Sequence, residues 1–140
     1  MPWVTKVVAT ALANRAVATA AELALRHEPG FVAVITTRPG PISDGFRKLR
    51  WHRPGDVKEA WRNGRRTVLV LRPGRARGLE FDAVVVVEPA SFPENVGRAG
   101  SLYTSLTRAT KDLHVLYSRR AAPTCRWWGG PLRWHARWIA

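Results

Sequence analysis

A single cysteine, Cys125, is all the thiol this chain of 140 residues contains. An intrachain disulfide is therefore excluded, and with it a disulfide-stapled exported design. The four histidines (His27, His52, His114 and His135) are scattered, and no pair has the spacing of a zinc site, so no metal ligands are assigned. Apolar runs are too short to cross a bilayer, which argues against a membrane partner. Residues 7–13 faintly suggest a secretory segment, but Asn14 and Arg15 interrupt it, so a cytoplasmic location is expected. No Gly-x-x-x-x-Gly-Lys-[Ser/Thr] occurs, so no loop of this chain cradles the β- and γ-phosphates of a nucleotide. Nothing resembles a Ser-His-Asp arrangement or a nucleophile elbow.

Acid is also scarce. Ten Asp and Glu face 23 Lys and Arg, nineteen of them Arg, for a net charge of +13. Such a surface favours polyanions: nucleic acid, a phosphate-bearing ligand or an acidic protein. Frequent Ala, Gly and Pro fit a second reading, in which Arg abundance reflects genome base composition. Both readings stand at this point. The length is that of one domain, large enough for a core of its own.

What is present is an alternation of helical and strand patterns. Val4 to Arg26 is rich in Ala, Leu and Val and predicts a helix, so residues 1–30 are expected to form an N-terminal helical segment. His27-Glu28-Pro29-Gly30 ends it. Residues 31–35 predict a strand buried on both faces, and Arg38-Pro39-Gly40-Pro41 a turn. A second helix is expected from Ser43 to about Trp51, capped by Ser43 or Asp44. Asp56 is a candidate cap for a short helix through Ala60 and Trp61 to Asn63-Gly64. Residues 67–71 and 81–87 predict buried strands, Ser101 to Thr110 a helix, and Leu113 to Tyr117 a last strand. Wholly apolar strands alternating with helices predict an α/β fold, a parallel sheet flanked by helices. Residues 119–140 differ: five arginines, no acid and four of the seven tryptophans. Interleaved Arg and Trp suit unpaired bases and phosphates, while a poorly ordered basic tail or a drifted reading frame explains them as well.

Two segments carry chemistry. Arg77-Gly78-Leu79-Glu80-Phe81-Asp82-Ala83-Val84-Val85-Val86-Val87 runs from a turn into the most hydrophobic strand, and Leu102-Tyr103-Thr104-Ser105-Leu106-Thr107-Arg108-Ala109-Thr110 precedes the last one. Their wording, order and following strands resemble motifs V and VI of the UvrD-like (superfamily 1) helicases, over roughly residues 31–118. The resemblance implies a RecA-like fold and the C-terminal domain of that motor, with residues 119–140 as a basic Trp-rich tail. It implies ATP as cofactor, with Mg2+ supplied through a P-loop-bearing lobe on the same gene product or a separate chain, and DNA as partner.

Carried over residue by residue, Glu80 contacts the nucleotide sugar. Gly78 lets the backbone turn closely at the sheet rim, where α/β proteins place ligands. Arg108 is the motif VI arginine that reaches across a cleft to the terminal phosphate, offsetting charge on the transferring group. Arg38 falls near the phosphate-contacting arginine of motif IV, although its Pro-Gly surroundings match poorly. Arg77 replaces the usual lysine. Gly74 stands where a DNA-contacting histidine is common, which brings the wording closer to the HelD-like (helicase IV) branch, some members of which act on RNA polymerase. Nucleic-acid-binding residues are not assigned by this resemblance. Without a phosphate loop, the chain alone is not expected to hydrolyse ATP. Two alternatives remain: a non-enzymatic module binding nucleic acid or RNA polymerase, and an inactive truncated helicase.

Overall fold

The computed structural model describes residues 3–55, 57–76, 79–92 and 109–118. Strand β1 is Trp3–Lys6, helix α1 Leu12–Arg26, β2 Phe31–Ile35, α2 Pro39–Lys48, β3 Ala60–Asn63, β4 Arg66–Leu71, β5 Phe81–Val87 and β6 Ala109–Tyr117. They form one six-stranded sheet in the order β1-β6-β5-β2-β4-β3. All neighbours are parallel except β3, which runs antiparallel to β4. The expected fold, a parallel sheet flanked by helices, is observed, except that the edge strand β3, where no strand was expected, is antiparallel.

The central strands are apolar throughout because both of their faces are covered. Val32, Val34, Val68, Val70, Ala83 and Val85 point to one side, where α1 contributes Ala16, Val17, Ala20, Leu23 and Ala24 and α2 contributes Ile42 and Phe46. Phe46 is wedged against Trp51 at 5.1 Å edge-on and Trp61 at 6.3 Å stacked. The alternate residues Ala33, Ile35, Leu71, Val84, Val86 and Val115 form a second cluster on the other face, closed by Phe81 and Phe92.

Several local expectations are corrected. The helix expected over residues 4–26 begins only at Leu12, because residues 3–6 form β1, paired with β6 from Trp3↔His114 to Lys6↔Tyr117. The N-terminal segment is therefore a strand and a helix of the same sheet. Helix α2 starts at Pro39 instead of Ser43, so Pro39-Gly40-Pro41 is its first turn and no loop. Proline is at home there, since the first-turn N–H groups have no intrahelical acceptor and its φ is already helical. The short helix expected through Ala60 and Trp61 is the edge strand β3. Its signal is the glycine: Gly64 has φ +62° in the two-residue β3–β4 connection, which a side chain would strain. Ala109 and Thr110, expected at a helix end, open β6. Residues 101–108, the Trp-rich tail 119–140 and Asp56 lie outside the described residues.

Chain direction sets where a ligand fits. From β2 the chain passes through α2 to β4 on one side of it, and from β5 it passes to β6 on the other. The neighbours β2 and β5 are thus the switch point of the sheet, whose crevice opens at the strands' carboxyl ends.

Candidate functional site

The carboxyl ends of β2 and β5 do enclose a cavity, about 480 Å³, roofed by the start of α1 and the start of α2. Its floor is a hydroxyl and carboxylate network. Glu88, directly after β5, adopts a left-handed backbone conformation at φ 52°. Its carboxylate accepts the Ser118 backbone N–H at 3.0 Å and the Ser118 hydroxyl, tying β5 to the end of β6. Ser91 donates its hydroxyl to the Glu88 carbonyl at 2.8 Å and shares a 2.9 Å hydrogen bond with Thr37. Buried Thr36 accepts the Arg38 N–H at 3.0 Å, which positions Arg38 as the residue before α2. The Arg38 side chain lines the cavity and is exposed. Glu88 is the anchor of this edge, and its signal in the sequence is a carboxylate placed straight after a valine run.

Glu80 lies elsewhere. It is exposed and immediately precedes β5, at the amino edge of the sheet and not at the carboxyl rim that binds ligands in such folds. With Ile35 beside Val86, the two edges are separated by roughly 20 Å, taking about 3.3 Å per strand residue, so Arg38 and Glu80 share no site. Gly78 and Arg108 lie outside the described residues. The strand register nevertheless pairs Phe81 with Ala109, the residues that follow Glu80 and Arg108 in sequence.

The amino edge is laced by ion pairs across the strands. His27 Nε2 lies 2.5 Å from Asp112 Oδ2, with Arg26 3.7 Å from the same oxygen. Lys111 approaches Asp82 at 3.2 Å, and Arg66 approaches Glu28 at 3.8 Å. Asp82 also accepts the Phe31 N–H at 2.8 Å, joining β5 to the start of β2. That backbone hydrogen bond, against the opposing effect of partial burial and aided by Lys111 and His27, holds the Asp82 carboxyl below its ordinary value of 3.8. Gly30 makes the contact possible: a Cβ there would fall 2.0 Å from Asp82 Oδ2 and 2.8 Å from the His27 carbonyl. Nearby on β6, burial lowers the pKa of His114, whose ring stacks on Trp3 at 6.1 Å.

The fold is that of RecA-like helicase C-terminal domains. The C-terminal domain of a possible DNA helicase from Lactobacillus plantarum WCFS1 superposes with a TM-score of 0.64 at 20% identity, over 87% of this chain and 76% of that one. The large terminase of a thermophilic bacteriophage superposes with a TM-score of 0.65 at 8% identity, over 99% of this chain. The chain spans only 38% of that terminase. Residues 73–116, which include both motif segments, match the UvrD-like helicase C-terminal domain family. No curated protein matches. The chain thus shares its fold with a helicase C-terminal domain and a terminase, and residues 73–116 are similar to the UvrD-like helicase family. No helix among the described residues is long and apolar enough to cross a membrane.

Proposed function

We propose that this chain is the C-terminal half of an ATP-dependent DNA helicase or translocase motor, and that it completes an ATP site whose phosphate loop lies on another lobe. The observation that carries the reading is the β5–β6 register. Phe81 sits beside Ala109, so the motif V segment ends, and the motif VI segment ends, at neighbouring points of one sheet edge. In this reading the amino edge faces the partner lobe. Exposed Glu80 meets the nucleotide sugar, Gly78 supplies the close backbone turn, and Arg108 offsets charge on the terminal phosphate. When bound, ATP with its Mg2+ supplies the phosphoryl group; the partner lobe holds its phosphates, since this chain has no loop for them. Arg38, on the other edge, has no part in that site. Nothing in the family match or the structural likenesses favours RNA polymerase as a partner, and the proposed polymer is DNA.

The test is ATP hydrolysis by this chain combined with a P-loop-bearing lobe. The chain alone is expected to show no turnover. In the combined sample, Arg108→Ala should lower the rate on the order of 10³-fold. Equal rates for wild type and Arg108→Ala remove the arginine assignment, and turnover by the isolated chain removes the half-motor reading.

A further inference from the structure

Strands β5 and β6 do not run in step at the amino edge. Phe81 pairs with Ala109 and Ala83 with Asp112, so β6 takes three steps where β5 takes two. From Ala83 to Val87 the pairing with residues 112–116 is regular. The extra residue makes a β-bulge at Thr110-Lys111, a feature seldom found between parallel strands. Each residue from Thr110 to Asp112 carries a tether of its own. Thr110 donates its hydroxyl to the Phe81 carbonyl at 3.1 Å. Lys111 Nζ lies 3.2 Å from Asp82 Oδ1. Asp112 Oδ2 meets His27 Nε2 at 2.5 Å and Arg26 at 3.7 Å. Two of the tethers end on β5 and the third on the end of α1. Together they keep the bulge from slipping into the plain register.

The bulge has a consequence for the residue before Ala109. With Asp112 kept opposite Ala83, a strand without the extra residue would bring Thr110 level with Phe81. The chain entering β6 would then be displaced by one residue, about 3.3 Å along the strand. We infer that the bulge sets the reach of Arg108, with Thr110, Asp112 and His27 as positioning residues for that arginine. This role rests on the half-motor reading, in which Arg108 offsets charge on the terminal phosphate, and it names the groups that hold the arginine at its level. A displacement of one residue is large on the scale catalysis tolerates, where a misplacement of about 1 Å costs on the order of 10²-fold. The Thr110 hydroxyl is the shortest link, because it bonds the backbone of the motif V segment two residues after Arg108. His27 acts from farther away: its largely buried ring at the end of α1 holds the Asp112 carboxylate, while Arg26 approaches the same oxygen from the solvent side.

The experiment is ATP hydrolysis by the full chain combined with a P-loop-bearing lobe, with kcat and KM measured separately. Thr110→Val, Thr110→Ser and Asp112→Asn are each made in the wild-type chain and in Arg108→Ala. Thr110→Val keeps the side-chain shape and removes the donor to Phe81. Its kcat should fall about 10- to 10²-fold with KM for ATP unchanged, and Asp112→Asn should act in the same direction. Thr110→Ser restores the hydroxyl and should return most of the rate. In the Arg108→Ala background the same substitutions should cost nothing further, since they act through an arginine that is no longer there. A loss of general structure would persist in that background. Urea denaturation checks folding, and if Thr110→Val does not fold, Lys111→Met on the exposed side of the bulge takes its place under the same expectations. Arg15→Gln, on exposed α1 away from the bulge, should hydrolyse at the wild-type rate. Wild-type kcat in Thr110→Val and Asp112→Asn, or losses of full size in the Arg108→Ala background, would overturn the positioning role and leave the arginine assignment intact. Equal rates for wild type and Arg108→Ala, or no turnover in the combined sample, would sink the half-motor reading and this role with it.

Discussion

The two edges of the sheet use the same kinds of charged residue to opposite ends. At the amino edge, Arg26, Lys111 and Arg66 each face a carboxylate from a neighbouring segment: Asp112, Asp82 and Glu28. Those charges neutralise one another and fasten strand ends that the motif segments adjoin. At the carboxyl edge, Arg53, Lys58 and Arg72 face none among the described residues, and two cavities remain between α1, α2 and the strand ends. A closed edge holds geometry; an open one keeps volume and charge for a ligand. A net charge of +13 is thus uninformative as a sum. Its distribution says more, because exposed ion pairs contribute little attraction to a distant anion once compensated.

The contrast can be broken most forcefully at Gly30. Gly30→Ala drives a methyl into Asp82 and the His27 carbonyl, and the backbone atom among these cannot rotate away. A loss of roughly 1–3 kcal/mol is expected in urea denaturation, in line with strained or overpacked sites. Stability equal to wild type would show that the amino edge is not clamped. At the other edge, Glu88→Ala strips the Ser118 N–H and hydroxyl of their acceptor. About 1–2 kcal/mol should be lost, the usual cost of unpairing a part-buried donor from a charged acceptor. A loss larger than that of Gly30→Ala would reverse the comparison and make the carboxyl edge the stiffer one.

The smallest effect is a pH dependence. The folded Asp82 carboxyl titrates below its ordinary 3.8, because the Phe31 N–H bonds its charged form. Its contribution to stability is therefore fully present above that ordinary value and fades as pH falls through the lower folded one. Asp82→Asn should flatten the acid limb of a melting-temperature profile below about pH 4, while leaving the neutral region only slightly lower. An acid limb identical in the variant would remove Asp82 from the account of the amino edge.

Legibility from sequence follows local apolar content. Residues 31–35, 67–71 and 81–87 are readable as strands because each is buried on both sides and needs no partner to explain its pattern. The edge strands are not. β1 and β3 are four residues each, half exposed, and lie beside helix-compatible alanines and tryptophans. Only pairing with β6 and β4 makes them extended. The start of α2 is hidden because proline reads as a stop signal unless its position in the first turn is known. The charged cavity between α2 and the end of β4 is invisible for a related reason: its cations come from residues 47, 53, 58, 72 and 75, on either side of a hairpin and a helix.

By itself, the amino-acid order determined which segments must be buried and which two short motifs stand before strands. Burial and motif wording are properties of neighbouring residues, so they survive without coordinates. Only the tertiary structure decided that Glu80 and Arg38 stand at opposite ends of the strands, and which arginines of that charged cavity face no carboxylate among the described residues. Strand order and direction come from pairing between distant segments, and charge compensation depends on distances of a few ångström that no local pattern encodes.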